Sequence, residues 1–221
     1  MILIIYLLDI MIHTKKELKF YIYADRIMNG RPIKKTILER ICGGGIVDYL
    51  EYMRKCSFYS KQSGILNRLR FYYCLWQYRK SGIKYGFSIG YDVFGYGLVI
   101  PHGTIVVGSS NRIGNYAVLH TSTCISDNEK EIGDCLYFST GSKMTSKIKI
   151  GHNVSVGANS VVNRSFLEGN CMIAGAPALK KKDCEAWYIR DGKIYADRVK
   201  KVESLKCKLL GNEDVCYNSN M

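Results

Sequence analysis

Two histidines eighteen residues apart, His102 and His120, carry the chemistry most readily read from this chain. A neutral imidazole takes up a proton near pH 7, so a histidine in a site can act as a general acid or base. His102 stands between Pro101 and Gly103, in a stretch from Phe94 to Val106 that also holds Gly95 and Gly97. His120 fills a slot that neighbouring repeats give to Gly, Ser, Thr or Asn, so its ring should point outward. Either one alone reads as a surface histidine. Together they read as a shared site, because the repeat described below makes eighteen residues one structural turn. His152, in the turn Gly151-His152-Asn153, and His13 read as surface residues.

The nine cysteines are odd in number and scattered, with no CxxC and no Cys/His ligand spacing. That pattern argues against structural zinc and against a disulfide framework, so no metal is expected and free thiols in a reducing cytoplasm are. Cys124 could be imagined as a nucleophile, but a thiol beside a corner of the repeat reads as packing.

The element that positions the histidines is a six-residue cadence. Ile132, Phe138, Met144, Ile150, Val156 and Val162 recur without a slip, and a second row reads Leu136, Ser142, Ile148, Val154 and Ser160. A period of six fits neither a helix nor a single strand, so it describes a coil that repeats as a whole. The fold class is mainly β: a parallel β-helix of three short strands and eighteen residues per coil. The small residue after each aliphatic one, such as Gly133, Gly151 or Gly157, is expected to ease the backbone of the corner. Val107, Ile113, Leu119 and Ile125 form an earlier run in register. Phe94 to Val106 does not keep step, and an extra residue falls in a polar loop at Ser126 to Glu131. Interruptions of a regular solenoid are where function is built.

Around this core the chain divides into residues 1–81, an N-terminal segment and helical cap; 82–180, the β-helix; and 181–221, a basic extension. Helices are expected over Lys15 to Asn29, Ile46 to Tyr59 and Ile65 to Tyr78, capping one end of the β-helix. In the last, Leu66, Leu69, Tyr72 and Leu75 recur at three- and four-residue steps and should pack on a neighbour. Met1 to Ile12 is apolar but too short to span a bilayer and lacks the basic flank of a signal peptide. A strand pair around Arg190-Asp191-Gly192-Lys193 and then a helix are expected, and Gly211 to Met221 should fray. The formal charge of +13 invites phosphates, acidic glycans or an anionic membrane face. No recognised motif accompanies it, so nucleic acid is not expected.

The cadence, the segment VFGYGLVIPHGTIVV (Val93 to Val107) and the closing SFLEGNCMIAGAPA (Ser165 to Ala178) resemble the serine acetyltransferase-like branch of left-handed β-helix acyltransferases. The leader LKFYIYADR (Leu18 to Arg26) and the Tyr-rich helices look closest to enzymes of capsule and surface-polysaccharide synthesis. The resemblance implies a left-handed coil and an acetyl-CoA-dependent O-acetyltransferase. It further implies a homotrimer with active sites between subunits, near membrane-associated glycan machinery. His102 matches the position of the catalytic base, His120 shares its face, and no acyl-enzyme is required. CoA would lie along the C-terminal coils at Gly157, Ala158, Ala174 and Gly175, with Lys180 and Lys181 near its phosphates.

The chain departs from that pattern in its acceptor residues. Where serine acetyltransferases place an Asp fifteen residues before the histidine and another directly before it, this chain has Phe87 and Pro101. Their Arg-His-Pro motif is replaced by Ser126-Asp127-Asn128-Glu129-Lys130. A zwitterionic amino acid needs charged partners, so a sugar hydroxyl becomes the expected acceptor. Serine is the alternative, and a non-catalytic scaffold of a synthesis complex is the reading from another class. Asp92 or a backbone carbonyl is left to orient His102, and Gly103 to supply an oxyanion donor.

Overall fold

The hexad spacing winds into a three-sided prism in the computed structural model, which describes residues 11–211. The expectations for the chain's first ten residues and for the tail after Gly211 lie outside the described residues. One side holds β1 (Phe87–Ile89), β2 (Ile105–Val107), β5 (Thr123–Ile125), β8 (Lys143–Met144) and β11 (Val161–Val162) in that order. The second side holds β3 (Arg112–Ile113), β6 (Glu131–Ile132) and β9 (Lys149–Ile150). The third runs β4 (Val118–Leu119), β7 (Tyr137–Phe138), β10 (Val154–Val156) and β12 (Cys171–Ala174), and is closed by an antiparallel β13 (Leu179–Asp183). All other ladders between these strands are parallel.

Ile132, Phe138, Met144, Ile150, Val156 and Val162 all point into the prism and are at most 4% exposed. Leu136, Ser142, Ile148, Val154 and Ser160 line the same interior. The two serines satisfy their hydroxyls between coils: Ser142 Oγ donates to Gly157 O at 2.7 Å, and Ser160 Oγ accepts from Gly175 N at 3.1 Å. Ile132 pairs with Ile150, and Met144 with Val162, one eighteen-residue coil on. Ile113 pairs with Ile132 across nineteen, which places the inserted residue between Ile125 and Ile132.

The glycine after the aliphatic residue has a different role from the one expected. Left-handed backbone falls further along each corner, at Cys135, Asn153 and Asn159, with φ of 61°, 57° and 54°. Gly133 and Gly151 are required by stacking: a Cβ on Gly133 would stand 2.8 Å from His152 N, and one on Gly151 would stand 2.6 Å from Leu167 O.

The helices are α1 (Lys15–Met28), α2 (Ile37–Cys42), α3 (Ile46–Tyr59), α4 (Ile65–Tyr85), α5 (Trp187–Arg190) and α6 (Lys193–Leu210). A capping box starts α1, with Thr14 Oγ1 accepting from Glu17 N at 3.1 Å and Glu17 Oε2 accepting from Thr14 N at 3.0 Å. As expected, α3 and α4 close the end of the first coil: Tyr49, Leu50, Met53, Cys74 and Tyr78 pack with Phe87, Ile89 and Val93. Helix α1 instead lies along a flank, where Phe20, Tyr21 and Met28 join Tyr96, Val99, Tyr116, Trp187 and Val202. Glu203 on α6 accepts hydrogen bonds from the Tyr96 and Tyr116 hydroxyls. Burial, before any charge effect, pushes both phenols above their ordinary range.

Three further expectations are corrected. Helix α4 continues beyond Tyr78 to Tyr85, where Gly86 (φ 69°) caps it. Its Leu66, Leu69 and Tyr72 face solvent, and of the expected stripe Leu75 alone packs against the core. No strand pair forms around Arg190; the chain makes β13 and then two helices separated by Gly192 (φ 112°). The buried Trp187 ring anchors this course, its Nε1 donating to Tyr116 O at 2.8 Å.

Candidate active site along one edge of the prism

One corner of every coil falls on the same edge, between the third side and the first. Following register down that edge places His102 in the first coil, His120 in the second, Gly157 and Ala158 in the fourth, and Ala174 and Gly175 in the fifth. Coils stack about 4.8 Å apart, so the His102 corner stands about 19 Å from the Gly175 corner. Four of the residues expected to bind cofactor, Gly157, Ala158, Ala174 and Gly175, thus share one continuous line with the two histidines. Gly157 is small because a Cβ there would stand 2.8 Å from the Ala174 Cβ. Ala158 and Gly175 are exposed.

The histidine corner is itself enlarged. On the third side Val99 pairs with Val118, nineteen residues on, whereas on the first side Ile105 pairs with Thr123, eighteen on. The corner between them therefore holds one more residue in the His102 coil than in the coil below, and the imidazole is carried outward and exposed. The corner is nonetheless pinned. Thr121 Oγ1 donates to Gly103 O at 2.7 Å, and Thr104 N donates to Tyr85 O at 2.9 Å. Gly103 passes so near α4 that a Cβ would meet Tyr85 O at 2.3 Å.

Upstream of His102 the backbone is held by a buried network that sequence reasoning missed. Arg54 on α3 forms a two-point contact with the Asp25 carboxylate on α1, at 2.8 and 3.2 Å, and donates to the carbonyls of Phe94 and Gly95 at 2.6 Å each. Asp25 also accepts from Leu98 N at 2.9 Å. Asn29 then clamps the next turn, donating to Leu98 O at 2.8 Å and accepting from Ile100 N at 3.3 Å. The signal for this network was Asp25, set within the apolar run Phe20 to Met28, which a purely amphipathic reading assigns to the solvent face.

His120 is half-buried, and its Nε2 is enclosed without a hydrogen-bond partner among the described residues. Its ring packs on Tyr137, centroids 5.0 Å apart. Burial first, and the nearby His102 second, hold its pKa below the ordinary imidazole value, against a weaker upward pull from Asp191. The group is therefore neutral at pH 7. Since the unfolded chain binds the proton more readily, the stability present above about pH 6.5 is lost as pH falls below that value towards the lowered pKa of the folded state. A His120→Gln variant should show a flatter dependence of thermal midpoint on pH between about 7 and 5.5, measured by circular dichroism; an unchanged slope would contradict the assignment.

Two charged residues at the same corner were also missed. The Arg190 guanidinium lies over the Tyr137 ring, 4.9 Å from its centroid, donates to Ser155 Oγ at 2.8 Å and pairs with Asp191 at 2.7 Å. No repeat pattern reaches these residues, because α5 folds back onto the third side from outside the cadence.

Of the other expected residues, Lys180 is corrected. Its ammonium is taken by Glu168 at 2.7 Å and Asp183 at 2.9 Å, and those bonds raise its pKa, so it is not a free phosphate ligand. Lys181 is exposed at the bulge between the Lys180 and Lys182 pairings of β13. Asp92 lies on a different corner and is committed to Ser57 and to Lys61 at 2.9 Å, which removes it as the partner of His102. Cys124 is the outward residue of β5 rather than part of the packed interior. His152 Nδ1 accepts from Asp134 N at 3.0 Å, tying two coils together. Among the described residues no cluster of three or more His, Cys, Asp or Glu could hold a metal ion.

The fold is a hexapeptide-repeat β-helix with both histidines on one edge. Serine acetyltransferase of Staphylococcus xylosus is 30% identical to the chain over 168 residues, 69% of this chain and 72% of that protein. Serine acetyltransferase of Staphylococcus aureus is 30% identical over 109 residues, 46% of this chain and 49% of its own length. The Synechococcus elongatus enzyme is 30% identical over 91 residues, 38% of this chain and 37% of its own. The chain thus spans about half or less of the length of these last two relatives. Among solved structures, Neisseria gonorrhoeae serine acetyltransferase superposes with a TM-score of 0.58 over 77% of this chain and 67% of that one, at 18% identity. That of Brucella abortus gives 0.57 over 77% and 70%, at 16%. No protein-family model matches the chain. The chain belongs to the serine acetyltransferase family.

Proposed function

We propose that the chain is an acetyl-CoA-dependent O-acetyltransferase that acts on a sugar hydroxyl, with His102 as general base. The observation that carries this is the shared edge: an exposed imidazole on a pinned, enlarged corner, in line with a track of small residues at Gly157, Ala158, Ala174 and Gly175. An acetyl-CoA arm laid on that track brings its thioester to the histidine corner, and Lys181 stands at the far end for the nucleotide phosphates. His102 takes the proton of the acceptor hydroxyl as its oxygen attacks the thioester carbonyl. The backbone N–H of Gly103, next to His102 in the chain, is the donor we assign to the developing oxyanion. The C–S bond breaks, the proton passes from His102 to the departing sulfur, and CoA leaves as the thiol. No covalent enzyme intermediate forms.

The sugar acceptor, belonging to a surface or capsular polysaccharide or its precursor, is supported by what surrounds His102. Pro101 precedes it, and Phe87 is buried in the core. The loop that carries charges in serine-specific relatives is used up internally: Asp127 accepts from Ser110 N at 2.7 Å, and Lys130 Nζ donates to Ser126 O at 2.7 Å. A homotrimer in the cytoplasm, with each edge facing a neighbouring subunit, completes the reading. Serine is the second reading. It is favoured by the family and by the Arg190 and Asp191 side chains near His120, opposite charges that a zwitterion could divide.

The test is CoA release from acetyl-CoA with free L-serine beside nucleotide sugars and oligosaccharides. Turnover confined to the sugars is the expected result. Brisk serine turnover lost in Arg190→Ala overturns the sugar reading, and no turnover or acetyl-CoA binding with any acceptor leaves a scaffold.

A further inference from the structure

Helix α4 is apolar on two opposite faces, and the protein uses one. Phe71, Cys74, Leu75 and Tyr78 pack towards α3 and the first coil. At about 100° per residue, Ile65, Leu69, Tyr72, Trp76 and Ile83 form a stripe on the other side, 54% to 85% exposed. Arg68 and Arg79 follow one border of that stripe, and Lys80 and Lys84 the other. With Arg70 the helix holds five cations and no Asp or Glu. Among the described residues none of the five is ion-paired; Lys80 and Lys84 lie over the rings of Trp76 and Tyr85 at 5.1 and 5.6 Å.

We propose that the outer face of α4 is a docking surface for an anionic lipid bilayer. The stripe enters the acyl boundary, Tyr72 and Trp76 sit at headgroup depth, and the bordering cations meet lipid phosphates. A second copy fits the same face poorly, since a two-fold contact would set its cations against their own kind with no acid to meet them. The helix is already folded and anchored by its inner face, so docking requires no ordering of the chain. No helix among the described residues is long and apolar enough to cross a membrane, so the contact is at the surface. The proposal is independent of the acceptor.

The full chain is sedimented with phosphatidylcholine vesicles, with and without phosphatidylglycerol. It should bind the anionic vesicles, leave them at high salt, and ignore the neutral ones. Binding should shift tryptophan emission to the blue in wild type and not in Trp76→Phe. Each of Arg68→Gln, Arg79→Gln and Lys80→Gln should weaken binding about fivefold, and Leu69→Glu with Trp76→Glu should abolish it with unchanged circular dichroism. Failure to bind anionic vesicles, or binding that survives the double glutamate variant, overturns the proposal. A wild-type oligomer that ignores vesicles and dissociates in that variant assigns the face to a second copy instead.

Discussion

His102→Ala should lower turnover of acetyl-CoA with a productive acceptor by ~10²–10⁴-fold, the range in which a positioned general base contributes. A hydroxyl ionises far above pH 7 and attacks a thioester slowly until its proton is removed in the transition state. The substitution should leave the fold intact, because the imidazole is exposed and the corner is held by Thr121, Thr104 and Gly103 rather than by the ring. Binding of acetyl-CoA should also persist, since the track of small residues begins below the His102 coil. Stopped turnover with retained binding and an unchanged thermal midpoint is the expected set. Turnover within a few-fold of wild type would show that another group, or solvent alone, takes the proton.

The second large effect is on stability. Asp25→Ala removes the counter-ion of Arg54 at a site where both side chains are at most 2% exposed, and leaves a buried cation facing two carbonyls. Breaking one side of such a pair costs about 3–5 kcal/mol, and urea unfolding should show a loss of this size. Removing both charges, as in Asp25→Leu with Arg54→Met, should recover part of it, because the penalty lies in the unpaired ion rather than in the lost attraction. The same carboxylate holds Leu98 N, so the single variant should lower turnover at temperatures where it remains folded. A loss below about 1 kcal/mol would mean that the contact is no stronger than an exposed pair.

The β-helix was legible because its code is local and repeated. Ile132, Phe138, Met144 and Ile150 each recur at six, and every one points inward. The histidine corner was legible as a break in step around Pro101, though its cause, a single extra residue between Val99 and Ile105, required the register on both sides. The glycines were read for backbone freedom and turned out to serve coil-to-coil contact, a property of the neighbouring coil that a single turn of sequence does not display. Asp25 and Arg54 were hidden because their partnership is tertiary: each looks like an ordinary polar position on its own helix. Lys180 was misread for the same reason, with Glu168 brought to it by the hairpin of β12 and β13. Arg190 and Asp191 reach the site through a short helix anchored by Trp187, which carries no motif.

The central claim is that the edge from His102 to Gly175 is a single groove that receives acetyl-CoA. Calorimetric titration of acetyl-CoA into wild type and Ala158→Trp tests it directly, since Ala158 is exposed on that edge and an indole there fills the track without entering the core. Saturable binding by wild type and none by the variant is the expected result; equal binding by both would place the cofactor elsewhere and contradict the account.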